Sequence, residues 1–370
     1  MRERLLVGTR KGLFTLRQRA GRWQIAQVDF LGVPVTMCLL DPRSEHVFAS
    51  LGHGHFGVKL HRSDDGGRTF REIAAPRYPT RPEGLVDKDP FRGTDIPWQL
   101  LAIWALEAGH PSRPGELWCG TMPGGLFHST DHGDSWQLVE SLWRHPGRQK
   151  WTGGGADYPV IHSICVDPRD GRQLAVAVSC GGVWHTSDSG QSWELRGQGL
   201  RADYYPPEQQ GDPGIQDVHR LVRCHSEPDC LWLQHHNGIF RSRDDGRTFT
   251  EIKDVPPSVF GFTVAVHPHN PDAAWFVPAT KDEARVPVDA KVVVARTRDG
   301  GKSFTVLRNG LPQEHAYDLT LRHALDVDRN GEQVAFGSST GSLWLSPDCG
   351  DSWLTLSKHL PPIYCVRFVG

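Results

Sequence analysis

The sequence lacks the segments that direct a chain to a membrane, to secretion or to a nucleic acid. No run approaches the ~20 apolar residues of a transmembrane helix, and the first residues show no apolar core followed by a cleavage site. Basic runs are also missing, and 41 basic against 43 acidic residues leave a net charge of −2. We therefore expect a cytoplasmic protein that binds neither membranes nor nucleic acids.

The cysteines lack the spacing of metal-binding or redox motifs. None of the eight cysteines forms a C-x-x-C pair, which excludes zinc ribbons and thioredoxin-like motifs. Most of them lie inside apolar runs, which predicts buried free thiols in a reducing compartment. The cysteines are Cys38, Cys119, Cys165, Cys180, Cys224, Cys230, Cys349 and Cys365.

Turn-forming residues, by contrast, are plentiful, and one turn motif occurs six times. The motif is Ser or Thr, any residue, Asp, any, Gly, any, Ser or Thr, then Phe or Trp, and 40 glycines and 27 prolines surround it. Its aspartates are separated by 66, 57, 56, 55 and 49 residues, a period typical of propeller blades. The aspartates are Asp65, Asp131, Asp188, Asp244, Asp299 and Asp348.

The residue types of this motif suit a tight turn between two strands. The carboxylate can accept hydrogen bonds from N–H groups of its own turn, and glycine adopts a positive φ without strain. The hydroxyl groups add local hydrogen bonds, and the aromatic residue begins the next strand. Six copies at blade spacing predict an all-β fold.

A hairpin of the type Gly-Gly-Val/Leu-Phe/Trp precedes the motifs and gives the number of blades. Gly12-Leu13-Phe14 repeats this hairpin at the start of the chain, followed by a degenerate motif at Gly21-Arg22-Trp23. The last strand, Ile363–Val369, has no hairpin after it. We therefore predict a single seven-bladed β-propeller domain, residues 1–370, whose first blade is completed by residues 362–370.

The six motifs resemble the BNR or Asp-box repeats of sialidases, xyloglucanases, sortilins and photosystem II assembly factors. The resemblance covers nearly the whole chain, but it rests on structural repeats, so it implies a fold rather than a function. True sialidase activity is not expected, because the arginine-containing motif of that family is absent. Here Phe91-Arg92-Gly93-Thr94 is the nearest string, and Ile96-Pro97 is displaced from it.

Three long connectors between blades are the expected location of a binding site. We call them the first (71–97), second (137–160) and third (194–217) connectors. Long loops on a rigid scaffold commonly carry recognition. Aromatic and basic residues of such loops could hold a sugar or another small ligand. The predicted substrate-binding residues are Trp98, Tyr204, Tyr205, Tyr317 and Arg220, and Arg220 could neutralise a substrate carboxylate.

Histidines of three blades provide a candidate catalytic or metal centre. His162, His219 and His323 occupy nearly the same position of the inner strand in their blades. Imidazoles suit a divalent transition metal, and Asp217 or Asp157 could orient them. Three unrelated histidines, each hydrogen-bonded to backbone or water in a water-filled central channel, would give the same sequence pattern. If the centre is catalytic, the predicted residues are His162, His219, Asp217 and Tyr158.

Two classes of function remain open at this point. The first is a hydrolase or lyase, with or without a bound metal, acting on a small or carbohydrate-like ligand. A pair of carboxylates acting as general acid and general base is a further candidate for the catalytic groups of such a hydrolase. The second is a non-catalytic scaffold that binds a protein partner. Acidic residues available in the connectors are Glu83, Asp87, Asp89, Asp95, Asp157, Glu208, Asp212 and Asp217.

Overall fold

The computed structural model describes residues 4–369, and within them all seven sheets have four antiparallel strands. The first fourteen strands are β1 (Arg4–Thr9), β2 (Gly12–Arg19), β3 (Arg22–Asp29), β4 (Val35–Leu40), β5 (Val47–Gly52), β6 (Val58–Ser63), β7 (Arg71–Ile73), β8 (Ala102–Ala108), β9 (Leu117–Met122), β10 (Leu126–Ser129), β11 (Gln137–Leu138), β12 (Ile161–Val166), β13 (Leu174–Val178) and β14 (Gly182–Thr186).

The remaining strands complete the sheets. They are β15 (Glu194–Arg196), β16 (Val218–Arg223), β17 (Leu231–His235), β18 (Gly238–Ser242), β19 (Thr250–Ile252), β20 (Gly261–His267), β21 (Asn270–Pro278), β22 (Val294–Thr297), β23 (Thr305–Leu307), β24 (Leu325–Val327), β25 (Val334–Gly337), β26 (Leu343–Ser346), β27 (Leu354–Ser357) and β28 (Ile363–Val369). Within residues 4–369, helical structure is limited to α1 (Glu140–Trp143) and the 3₁₀ turns Gly54–Phe56, Pro146–Lys150, Pro213–Ile215 and Val288–Ala290.

The order of the sheets confirms the predicted seven-bladed β-propeller. Six sheets contain four consecutive strands, from β4–β7 to β24–β27, and the seventh has the order β28-β1-β2-β3. In that seventh sheet Arg4 pairs with Val369 and Val7 with Val366, so the last strand joins the first blade as predicted. Gly370, the end of the predicted segment 362–370, lies outside the described residues.

Contacts divide the described chain into two compact units. The first unit contains residues 4–38, 222–241 and 250–369, and the second contains residues 39–221 and 242–249. The assignment of residues 1–370 to one domain stays a prediction. Among the described residues, no helix has the length and apolar character needed to cross a membrane.

Large apolar side chains fill the core of each unit. Val176, Trp118 and Trp184 of the second unit belong to one cluster, in which all three are at most 1% exposed. Trp275 and Trp344 have corresponding places in a cluster of the first unit. Because middle strands are covered on both faces, they are continuous apolar runs, as in Leu-Ala-Val-Ala-Val of β13. Seven of the eight cysteines are buried free thiols, and Cys349 is partly exposed.

The Asp-box motifs form equivalent hydrogen-bonded turns. The Ser129 hydroxyl donates to Asp131 Oδ1 at 2.8 Å, and the Ser135 N–H donates to the same oxygen at 2.9 Å. The Gly133 N–H donates to Ser129 Oγ at 2.9 Å, with a Gly133 φ of 82°. The same bonds occur in the other five motifs. These aspartates therefore stabilise turns.

Candidate functional site

The three long connectors of the second unit meet at one place. Asp89 of the first connector accepts a hydrogen bond from the Gly153 N–H of the second connector, at 3.3 Å. Lys150 of the second connector pairs with Asp212 of the third at 2.6 Å. Asp89 itself has no exposed surface, so its contacts lie inside the unit. We call the region where these loops meet the connector site.

A thiol, a carboxylate and a phenol form the buried centre of the connector site. Thr152, Asp217 and Tyr204 are the side chains whose neighbourhood affects the Cys180 thiol. Burial, and then the negative charge of Asp217, raise the pKa of the Cys180 thiol well above its usual range. Cys180 therefore holds its proton near the Asp217 carboxylate. Tyr204 reaches this centre with its hydroxyl, yet the residue is 47% exposed.

The second connector passes directly over this centre at a glycine. A Cβ atom at Gly154 would lie 2.7 Å from Cys180 Sγ and 3.5 Å from Asp217 Oδ2, and the Gly154 φ of +56° is also unfavourable for other residues. Arg92 of the first connector donates a hydrogen bond to the Gly154 carbonyl at 2.9 Å. Close approach of the backbone to a carboxylate and a thiol therefore requires glycine here.

The predicted catalytic residues Asp217 and His219 lie together. Asp217 ends the third connector and His219 follows in β16, so their side chains extend to the same side of the strand. Asp217 Oδ2 lies 3.8 Å from His219 Nε2, and the two residues are 8% and 3% exposed. A carboxylate oxygen and an imidazole nitrogen at this separation can orient a water molecule or contribute two ligands to a divalent metal.

His162 lies on the neighbouring strand β12, where the side chain is fully buried. Its Nδ1 is 2.9 Å from Ser163 Oγ, which also accepts a hydrogen bond from the Leu221 N–H at 3.0 Å. Arg220 donates to the His162 carbonyl at 3.3 Å. The backbone carbonyl of His162 therefore contacts Arg220 of β16. The predicted catalytic role of His162 and the predicted substrate-binding role of Arg220 stay predictions.

Aromatic and charged side chains form the rim of the connector site. The Tyr205 ring is half-buried, and its centroid lies 5.2 Å from that of Tyr204. Burial first, and also the negative charge of nearby carboxylates such as Asp217, raise the pKa of Tyr205. Asp157 is 89% exposed at its side chain and lies 3.8 Å from Arg92. The half-buried Tyr158 follows it in the second connector.

Trp98 follows the first connector and lines a cleft of about 380 Å³ in the second unit. Its Nε1 donates to Asp87 Oδ2 at 2.7 Å, and Arg148 binds both oxygens of the same carboxylate at 3.0 Å. Lys59 and Glu72 line the cleft as an ion pair at 2.7 Å. The Trp98 side chain therefore makes a structural hydrogen bond and also lines the cleft.

The other two predicted residues belong to the first unit. Tyr317 is 58% exposed in a loop. His323 is 3% exposed, and its Nδ1 lies 3.3 Å from Arg367 Nη2. It precedes β24 instead of lying within that strand, and its backbone forms an isolated bridge to Cys365 of β28. The role of both residues stays a prediction.

Cys180 and Gly154 were missed as site residues from the sequence. The signal available for Cys180 was its place in Cys180-Gly181-Gly182, where a cysteine with a φ of 44° begins a hairpin. Gly154 lies in a run of three glycines, which does not show which of them approaches another loop. Their contacts depend on the meeting of three connectors, which local patterns do not encode.

Comparisons with known proteins agree with the fold. No family model matches the chain. The probable oligoxyloglucan-reducing end-specific xyloglucanase of Neosartorya fischeri is 31% identical over 327 residues, which cover 78% of this chain and 36% of that protein. The oligoxyloglucan-reducing end-specific xyloglucanase of Emericella nidulans is 25% identical over 261 residues, or 69% of this chain and 27% of that protein. The chain thus spans about a third of the length of these relatives.

Solved structures give the same result for the architecture. An ancestral GH74 enzyme superposes with a TM-score of 0.56 at 15% identity, over 84% of this chain and 36% of that one. YCF48 bound to D1 peptide superposes with a TM-score of 0.52 at 15% identity, over 87% of this chain and 83% of that one. The chain is a seven-bladed β-propeller. Its predicted resemblance to xyloglucanase-like and assembly-factor-like propellers is confirmed.

Proposed function

We propose that this propeller binds a carbohydrate at the connector site and hydrolyses a glycosidic bond there. The observation that carries the proposal is the buried carboxylate of Asp217, which lies 3.8 Å from the His219 imidazole in the same unit as the half-exposed Tyr204. Similarity to two xyloglucanases supports a carbohydrate as the ligand. Because the chain spans about a third of those proteins, the activity is tested on this chain itself.

Each residue of the site has a defined part in this proposal. Asp217 is the general base that removes a proton from the water attacking the anomeric carbon, and the leaving-group oxygen takes a proton from solvent as the glycosidic bond breaks. His219, 3.8 Å away, restricts the orientation of that carboxylate. Tyr204 and Tyr205 offer aromatic faces to a sugar ring, and Arg92 with Asp157 can bind its hydroxyl groups.

The test is hydrolysis of xyloglucan oligosaccharides, measured by chromatography of the products. Asp217→Asn is expected to lower kcat by about 10²–10⁴, the usual contribution of a positioned base, with little change in KM. Glu208→Gln changes an exposed carboxylate of the same connector and is the matched control. Equal activity of the two variants, or no hydrolysis across a panel of plant oligosaccharides, would reject the proposal. An unsaturated sugar product would indicate a lyase instead.

A divalent transition metal is a separate part of the proposal. Asp217 and His219 provide two ligand atoms of suitable type, and a bound metal would lower the pKa of a coordinated water. His162 on the adjacent strand remains the further predicted ligand within this unit, and His323 remains the one predicted in the first unit. Metal content of protein purified without chelators, compared between wild type and His219→Ala, tests this part. Equal metal in both proteins would reject these ligands.

The second candidate function is a scaffold that binds a peptide. It is favoured by the similarity to YCF48 bound to D1 peptide, because 83% of that chain is covered. A scaffold requires binding without turnover. Calorimetry with peptide and oligosaccharide libraries separates the two functions, since only the hydrolase proposal expects oligosaccharide binding that is altered by Tyr204→Ala and Tyr205→Ala.

A further inference from the structure

Three sulfur-bearing side chains meet in the interior of the first unit. Cys38 Sγ lies 3.7 Å from Cys365 Sγ, and Met37 Sδ lies 3.6 Å from the same Cys365 atom. None of the three residues has any exposed surface. We call Met37, Cys38 and Cys365 the sulfur cluster. No residue of this cluster takes part in the connector site.

The strands explain how the three sulfur atoms come together. Cys365 lies in β28, which closes the first blade, and Met37 and Cys38 are neighbours in β4. Neighbouring side chains of a strand extend to opposite faces, so two of them rarely contact one partner atom. The long, unbranched side chain of Met37 reaches around to Cys365. The contact joins residues 327 positions apart, so no local motif indicates it.

The cluster does not have the geometry of a disulfide bond. A disulfide holds its sulfur atoms about 2.05 Å apart, whereas the Cys38 and Cys365 sulfur atoms are separated by 3.7 Å. Two ligands each ~2.3 Å from a shared metal would subtend roughly 107° at that metal when they are this far apart. That angle lies close to the tetrahedral value. The separation of the thiols therefore suits a shared metal ion.

We propose that the sulfur cluster binds one Cu(I) ion through Cys38, Cys365 and Met37. Two thiolates and a thioether are soft ligands, and this set selects Cu(I) over harder divalent cations. The two thiolates and the ion together carry one negative charge. Arg367 can offset that charge, because its Nη2 lies 3.9 Å from Met37 Sδ. Binding of Cu(I) releases the two thiol protons to solvent, and the nearby acidic group Asp326 accepts the Phe368 N–H at 2.8 Å.

The probe is Cu(I) itself, presented to the full chain without oxygen as a complex with a coloured chelator. Transfer to the protein is followed by loss of the chelator colour, and X-ray absorption then identifies the atoms bound to copper. We expect one tightly held Cu(I) per chain, with only sulfur neighbours at about 2.3 Å. Cys38→Ser and Cys365→Ser are expected to lose this copper, and Met37→Leu is expected to release it more readily to the chelator.

Cys119→Ser is the matched control, because Cys119 is also a fully buried cysteine but belongs to the second unit. It is expected to retain one copper. The proposal is overturned if wild type leaves Cu(I) with the chelator, if nitrogen or oxygen atoms dominate the copper shell, or if Zn(II) is held in preference. Because the absorption spectrum is recorded on wild type, the test does not depend on folding of the serine variants.

Discussion

A buried ion pair in the second unit allows a stability prediction with a defined magnitude. Arg196 Nη1 lies 2.6 Å from Asp245 Oδ2, and their side chains are 4% and 7% exposed. His185 Nε2 lies 2.9 Å from the same carboxylate oxygen. Asp245→Asn keeps the shape of the side chain and removes its charge. Asparagine also accepts the left-handed conformation of this residue, whose φ is 60°.

The expected loss of unfolding free energy follows from the positive charge of Arg196 that stays buried in the variant. Breaking a buried pair from one side costs about 3–5 kcal/mol. The lower part of this range is expected here, because the Arg196 guanidinium loses its buried counter-charge but keeps the largely exposed Glu194 carboxylate, 2.8 Å from its Nε. Each 1.4 kcal/mol is a factor of ten, so the unfolding equilibrium is expected to shift by roughly two to three orders of magnitude. Arg196→Met added to Asp245→Asn is expected to recover much of this loss, because the uncompensated charge is then gone.

A second arginine–aspartate pair of the same unit supplies the control. Arg201 and Asp203 are 2.5 Å apart, but their side chains are 44% and 39% exposed. Exposed pairs contribute about 0.2–1 kcal/mol, so Asp203→Asn is expected to change stability very little. The assay is urea denaturation followed by tryptophan fluorescence, with midpoints and slopes compared. If the unfolding free energies of the Asp245→Asn and Asp203→Asn proteins differ by less than ~1 kcal/mol, the argument from burial is wrong.

Three further predictions concern individual side chains. Hydrogen bonds, first that of a serine hydroxyl, lower the pKa of Asp188 to about 2. Its carboxylate therefore stabilises the fold above the ordinary pKa of ~3.9, and this stability is lost as pH falls toward 2. Asp188→Asn should consequently show a smaller fall in melting temperature between those pH values than wild type. Gly154→Ala would place a Cβ 2.7 Å from Cys180 Sγ at a φ of +56°, so we expect lower activity and a cost of about 1 kcal/mol or more. Gly211→Ala meets no atom within 4 Å and should behave like wild type in the same melting and activity assays. Finally, burial and then Asp217 raise the pKa of Cys180, so iodoacetamide should label it slowly at pH 8 and faster in Asp217→Asn, as measured by mass spectrometry. Equal labelling rates in the two proteins would contradict the Cys180–Asp217 contact.

The architecture was predictable because its signals are local and repeated. Each Asp-box turn satisfies its hydrogen bonds within seven residues, as from Ser129 to Ser135, so the motif appears in the sequence as it appears in the fold. The last strand was also predictable, since Ile363–Val369 is an apolar strand without a following hairpin. Closure then follows from the need to pair the free edge of the first blade.

The site was predictable only in part, because its contacts join distant segments. Asp217 and His219 were identified from their place at the start of an inner strand, and they do lie 3.8 Å apart. Cys180 was not identified, because its partners come from the second and third connectors. The sulfur atoms of Cys38 and Cys365 illustrate the same limit, since spacing predicts no relation between residues 327 positions apart.

Two buried aspartates of the second unit are expected to have different roles, one in stability and the other in function. Asp245 faces Arg196 at 2.6 Å, an arrangement that balances its charge and explains its burial by the fold alone. Asp217 instead has an imidazole nitrogen at 3.8 Å, and it lies in the same site as the exposed Tyr204. An uncharged residue at such a position is often equally stable, because it avoids the cost of burying a carboxylate. Asp217→Asn should therefore cost far less stability than Asp245→Asn and far more activity, a reversal that a purely structural Asp217 would not produce.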